Sequence, residues 1–378
     1  MPAPTLPPDP YDGVRNLDDL ETPAALIDLA RTRRNIERVA AYCATSGLRW
    51  RPHVKTHKTP ALAAQQVGSG ASGVTVATLR ELEVMAPVVS DIVLAYPVIG
   101  AAKLRRLESL QGVTDLAVAV DSLAALDAIG GAAARMRRRI GVLIEIDVGA
   151  KRMGVRQPEH VVQLARHAGR CPWLTFDGIL FYPGHIRSAM AAQDAELETL
   201  AAALAQHIEA LGAAGLPPRV VSGGSTPTIW RSHELPGLTE VRAGTFIFND
   251  RTTMALGVCQ PHERAYTVLA TVVSTEVAGQ ATIDAGSKAL SSDVLRGHGT
   301  GYGELLDRPD VVVRALSEEH GMLDLSATDW RPRVGDRVRV VPNHVCTSVN
   351  LQEVLHCLDG DRIVNTLTVA GRGRRPAS

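Results

Sequence analysis

The sequence predicts an α/β fold, a (β/α)8 barrel of the TIM type followed by a second, β-rich C-terminal domain. Three observations predict it. Short β-branched runs alternate with longer Ala/Leu/Arg segments from about Thr22 to Gly257. Polar signals fall at the C-terminal ends of many successive runs, as a barrel requires. After Cys259 the helical stretches give way to strand-like runs separated by turns.

In order, Ala25–Asp28 reads as a strand, Arg31–Thr45 as an amphipathic helix, Leu48–Val54 as a strand, and a helix follows from Pro60. Gly73–Ala77 precedes the helical Leu79–Met85, and strand runs recur at Asp91–Ala95, Leu116–Val120, Val142–Ile146, Phe176–Phe181, Arg219–Ser222 and Glu240–Arg242. A doubly wound sheet would give a similar rhythm. It would gather its polar signals near one switch point, and here they are spread over many strand ends. The β-rich part reads as strands at Tyr266–Val277, Gln280–Ala285, Arg337–Val341 and Arg362–Val369. The expected organisation is a tail over 1–20, a barrel over 21–258 and a β-rich domain over 259–378, with Gly371–Ser378 as a frayed basic end.

Composition excludes several classes. The chain has 378 residues, with 40 Lys+Arg against 40 Asp+Glu, so no charge excess draws it to nucleic acid or an anionic membrane. Cys43, Cys171, Cys259, Cys346 and Cys357 are scattered and odd in number, which argues against a disulfide framework. Met1–Tyr11 is Pro-rich and lacks the apolar stretch of a signal peptide. No segment approaches the ~20 apolar residues of a membrane span. A cytoplasmic protein is expected.

Four segments carry chemistry. In Arg51–Lys58 a lysine, Lys55, stands directly after a strand-like run. There it can lose hydration and serve as a neutral nucleophile, although alone it reads equally as a solvated surface lysine. Val221–Thr228 places Gly223 and Gly224 before Ser225 and Thr226, a turn that suits an anion or simply caps a helix, with Arg242, Gly244 and Thr245 able to complete the cradle. Asp147–Val155 projects Arg152 from a strand end, either toward a phenolate oxygen or into a surface ion pair. In Pro342–Thr347, His344 and Cys346 would share one face of an extended segment. An imidazole and a thiolate suit Zn²⁺, and a buried cysteine beside a hydrogen-bonded histidine is the plainer alternative.

Taken together, these segments resemble the fold-type III pyridoxal-phosphate enzymes of the D-serine dehydratase/D-threonine aldolase family. The resemblance spans nearly the whole chain, through Glu21–Asp28, Arg51–Lys55, Gly223–Pro227, Glu240–Gly244, Ile283–Gly286, Glu319–Gly321 and Pro342–Cys346. It implies that Lys55 holds pyridoxal 5'-phosphate covalently, that Arg152 lies near the phenolic oxygen and that Tyr182 packs at the ring. It further implies that Gly223, Gly224, Ser225, Thr226, Gly244 and Thr245 hold the phosphate, that Arg242 faces the pyridine nitrogen, and that His344 and Cys346 bind a divalent metal, Zn²⁺ before Mn²⁺ or Mg²⁺. The implied reaction is metal-assisted β-elimination from a β-hydroxy D-amino acid to a keto acid and ammonia. Retro-aldol cleavage to glycine and an aldehyde is the alternative. A homodimer is implied as well.

Two departures lean toward the dehydratase branch. The aldolase branch carries His-x-Asp where this chain has His344-x-Cys346, and a histidine where this chain has Ser188. His185 sits closer to the strand end, as a base from another angle or as a loop cap. A racemase would need a second base from the β-rich part, where Tyr266 and Tyr302 are the tyrosines. A single-domain cofactor carrier would leave that part unused.

Overall fold

The computed structural model describes residues 15–295 and 298–376. Met1–Tyr11 and the last two residues of the expected basic end lie outside the described residues. The chain divides into two compact units. One takes residues up to Arg33, Phe248–Thr252 and His262–Val369, and the other takes Arg34–Ile247, Thr253–Pro261 and the residues from Ala370 onward.

The second of these units is the barrel. Its eight parallel strands are Arg49–Trp50, Val74–Val76, Asp91–Leu94, Asp115–Val120, Ile140–Ile146, Leu174–Phe181, Val220–Gly223 and Glu240–Val241. The second to eighth pair in chain order, and the first pairs with the last, Arg49 with Glu240 and Trp50 with Val241. A parallel bridge from His53 to Thr75 joins the first strand's continuation to the second. The strands are buried, nearly continuous apolar runs, as parallel strands covered by helices must be. Val93, Ala117, Ala119, Leu143, Leu180 and Val220 pack into one cluster.

The first strand is shorter than the sequence suggests. Pro52 has no N–H to give to a ladder, and the chain turns at Val54–Thr56. Charge ties the closure together: Arg51 Nε meets Glu240 Oε2 at 2.8 Å, and its two terminal nitrogens meet the Asp91 carboxylate at 2.6 and 2.9 Å. Arg51 is buried, and because two carboxylates share it, losing either one still leaves its charge paired. Late in the barrel the α-helices are replaced by 3-10 turns at Thr226–Glu234 and Thr245–Ile247.

The other unit holds a nine-stranded mixed sheet. Ala24–Asp28 belongs here rather than to the barrel alternation, pairing antiparallel with Tyr266–Ser274 and parallel with Val354–Asp359. The expected runs at 266, 280, 337 and 362 are strands, joined by Gly303–Leu305, Val313–Leu316 and Gly321–Asp324. Leu20, Ala24, Leu26, Leu269, Leu358 and Ile363 form its apolar core. Among the described residues, no helix is long and apolar enough to cross a membrane.

Candidate active site

Lys55 leaves the barrel where the first strand ends. His53 N–H donates to Ala243 O at 3.3 Å, Thr75 N–H donates to Pro52 O at 2.8 Å, and Lys55 lies in the turn that follows. The C-terminal end of a barrel strand is where this fold places reactive groups. Lys55 Nζ stands 5.6 Å from the centre of the Tyr182 ring, and the Arg152 guanidinium stands 4.9 Å from it. The structure thus brings Lys55, Arg152 and Tyr182 together from three strand ends.

Arg242 enters from the last strand. It donates to Phe181 O at 2.7 Å, while its buried Nε has no partner. Burial lowers its pKa to about 10, against the pull of Glu145 and Glu240. His53, not singled out from the sequence, sits among these cations. Burial first, then Lys55 and Arg242, push its imidazole well below the ordinary range, so it is neutral at pH 7. Its Nδ1 is buried without a partner. Glu145, also missed, faces Arg152 at 3.5 Å, with its carboxyl pKa raised by burial against the opposing pull of Arg242 and Arg152. The site therefore gathers more cations than anions, which suits an anionic ligand.

The glycines let the chain pack closely on itself around this cluster. A Cβ on Gly244 would lie 2.4 Å from His53 O, and one on Gly223 would lie 2.2 Å from the Phe181 ring. Gly224 has φ +88, a left-handed backbone that glycine adopts freely. Arg242 N–H donates to Gly223 O at 2.9 Å and Phe246 N–H to Thr226 Oγ1 at 3.3 Å, so the two glycine turns are one assembly. Ser225 stands at the start of the Thr226–Glu234 turn, and Thr245 opens the neighbouring turn. The partnerless buried Arg242 Nε and His53 Nδ1, set among cations, fit a phosphate-bearing ring compound.

His185 lies against the loop that carries Arg152. A Cβ on Gly149 would come within 2.9 Å of His185 Nε2, and His185 Nδ1 is buried without a partner.

In the other unit, the strand Arg337–Pro342 stops short of His344. The expectation of one extended segment is corrected here: His344 caps the helix Val345–Leu351, and Cys346 lies in its first turn. The two side chains still meet. Burial works against a charged imidazole at His344, yet Cys346 and Asp250 hold its pKa well above the usual value. Asp250, fully buried and not foreseen, places Oδ2 3.2 Å from His344 Nδ1 and 3.1 Å from Val345 N. The thiol and carboxylate that favour a proton on His344 would equally favour a divalent cation there, and the imidazole–thiolate donor set suits zinc. Among the described residues, no group of three or more His, Cys, Asp or Glu is gathered for a metal. Tyr266 is no candidate base, since it is fully buried, bonded to Ser348 Oγ at 2.8 Å, and its phenol is pushed up by burial.

Residues 27–252 match the family described as alanine racemase, N-terminal domain, and residues 265–358 match the putative serine dehydratase domain. The chain is 37% identical over 369 residues to D-threo-3-hydroxyaspartate dehydratase of Delftia sp., covering 92% of this chain and 96% of that one. It is 29% identical over 378 residues to D-threonine aldolase of Arthrobacter sp., covering 99% and 97%. The solved D-threonine aldolase from Filomicrobium marinum superposes with a TM-score of 0.88 at 29% identity, covering 95% of this chain and 98% of that one. The solved Delftia dehydratase gives 0.86 at 35% identity, covering 95% and 99%. Its solved variants include a histidine-to-alanine form and, two positions further along that chain, a cysteine-to-alanine form described as metal-free.

Barrel, lysine turn and second domain together define an alanine-racemase-type enzyme that depends on pyridoxal phosphate. Within that class, the chain belongs to the D-serine dehydratase/D-threonine aldolase family of lyases.

Proposed function

We propose that this chain dehydrates a β-hydroxy D-amino acid with the help of a divalent metal, releasing a keto acid and ammonia. The observation that carries the reading is the imidazole–thiol pair His344 and Cys346 beside the buried Asp250. Similarity to the Delftia dehydratase, and the matching spacing of the histidine and cysteine altered in its variants, support it.

In this reading Lys55 holds pyridoxal phosphate through its amine, and the bound coenzyme supplies an electron-withdrawing ring that acidifies the substrate's Cα–H. The backbone N–H groups around Gly223, Gly224, Ser225, Thr226, Gly244 and Thr245 would hold the phosphate. Arg242 would serve the ring nitrogen, Arg152 the phenolic oxygen, and Tyr182 would pack at the ring. Lys55 Nζ would take the Cα proton as a base. The Cα electron pair forms the Cα=Cβ bond and the Cβ–O bond breaks. The hydroxyl leaves as hydroxide, and His185, beside the Arg152 loop, is a base from another angle or a cap for that loop. His344 and Cys346 would hold zinc, which supplies Lewis acidity at that hydroxyl. A homodimer belongs to the same reading. So does a cytoplasmic location, for which the scattered and odd-numbered cysteines are the support.

A second reading, retro-aldol cleavage to glycine and an aldehyde, is favoured by the likeness to the Filomicrobium aldolase. Incubating the loaded protein and Zn²⁺ or Mn²⁺ with D-serine, D-threonine and D-threo-3-hydroxyaspartate separates them. The expected products are keto acid and ammonia, and Cys346→Ala loses turnover while keeping the coenzyme's absorbance. Glycine as the main product would replace dehydration by the second reading. Unchanged turnover in Cys346→Ala would remove the metal.

A further inference from the structure

The turn that carries Lys55 is held from behind by a segment distant in sequence. Four residues after Val54 the chain reaches Lys58, whose backbone is left-handed at φ 54 and whose N–H donates to Val54 O at 2.8 Å. A residue with a Cβ keeps such a conformation only where its surroundings impose it. Lys58 is buried, and its Nζ lies 3.3 Å from Glu81 Oε1, itself buried. Glu81 Oε2 accepts the Ala77 N–H at 2.6 Å, so the carboxylate is fixed to the end of the second barrel strand. The Lys58 carbonyl accepts the Gly371 N–H at 2.9 Å, and Arg80 Nε donates to Ala370 O at 2.9 Å. Gly371 fits closely: a Cβ there would lie 3.0 Å from Lys58 Cβ, 3.2 Å from Glu81 Cγ and 3.2 Å from Lys58 O.

We propose that Ala370–Gly371 is a strap that positions the Lys55 amine, acting through Lys58 and Glu81, which makes Gly371, Lys58 and Glu81 positioning residues for the lysine that holds the cofactor. The backbone bond and the close fit at Gly371 keep Lys58 left-handed. The Lys58 ammonium keeps the buried Glu81 carboxylate paired. Together they leave the turn at Val54–Thr56 one position relative to the strand it follows. This rests on the reading of Lys55 as the cofactor's anchor.

The test uses the full chain stripped of cofactor and titrated with pyridoxal phosphate, followed by borohydride reduction and mass mapping of the label. Gly371→Val is expected to weaken cofactor binding at least tenfold and to lower the labelled fraction at residue 55 in parallel. Gly371→Ala, whose single methyl needs only a small adjustment, keeps the test alive if the valine variant does not fold, and it is expected to fall between. Lys58→Met is expected to weaken binding as well, with Lys58→Arg recovering part of the loss. The melting temperature of the cofactor-free chain is expected to stay near wild type in the alanine variant. Wild-type cofactor affinity and labelling in Gly371→Val would overturn the strap, as would a loss matched by equal destabilisation of every cofactor-free variant. A wild-type chain carrying no label at residue 55 would overturn the anchor and the strap together, and that failure is read in the wild type alone.

Discussion

Asp250 Oδ2 lies 3.2 Å from His344 Nδ1 while accepting the Val345 N–H at 3.1 Å. A carboxylate only accepts, so the hydrogen between them belongs to Nδ1, which leaves Nε2 as the nitrogen a metal would take once it displaces the second proton. The bond to Val345 fixes the carboxylate against the start of the helix that carries Cys346. One buried group thereby orients both candidate metal donors.

Asp250→Asn should therefore weaken zinc binding by about 10–100-fold, the usual effect of losing such a partner. Competition against a chromophoric chelator measures it on the purified chain. Equal zinc affinity in wild type and variant would show that Asp250 does not orient His344.

Gly244 gives a sharper steric prediction. The Cβ of Gly244→Ala would meet His53 O at 2.4 Å, a backbone atom of the turn leading to Lys55, with no flexible side chain to give way. Stability should drop by about 1–3 kcal/mol through overpacking, and cofactor affinity should drop with it. Gly169→Ala, on a helix and with nothing within 4 Å, is the control that should lose neither. Urea unfolding and cofactor titration of the two variants settle the point, and indistinguishable behaviour would mean that the turn tolerates displacement.

Acid stability should depend on His57. It is fully buried, bonded through Nε2 to Gln66 Oε1 at 3.2 Å and accepting the Thr59 N–H at Nδ1. Burial lowers its pKa from 6.5 to about 4. Between those values the unfolded chain binds a proton that the native chain does not, so stability is complete above the unfolded value and falls as pH drops toward 4. Linkage puts the loss from pH 7 to pH 5 at about 2 kcal/mol. Urea unfolding of wild type and His57→Phe at the two pH values reads the difference. The variant should lose less than the wild type, and an equal loss in both would place the acid sensitivity elsewhere.

Much of the site was legible because its residues are local to strand ends. Lys55, Arg152, Tyr182 and the glycine turns each follow an apolar run, and the barrel brings those ends to one place. The rest depended on distant partners. Ala24–Asp28 is a short apolar run that reads alike whichever sheet buries it, and its partners lie beyond residue 260. His344 and Cys346 looked extended because Val345–Leu351 is rich in β-branched and polar residues of low helix propensity. Asp250 meets His344 across 94 residues, a relation no local pattern announces. His53 was within reach, standing two residues from Lys55, but its burial among cations appears only once the strands close.

The central claim is that the amine of Lys55 anchors pyridoxal phosphate. Borohydride reduction of the loaded protein, followed by peptide mass mapping, tests it most directly. The expected result is a single coenzyme-sized mass increase on the peptide containing residue 55, absent from Lys55→Ala although that variant keeps its fold by circular dichroism. Label on another lysine, or undiminished label in Lys55→Ala, would contradict the account.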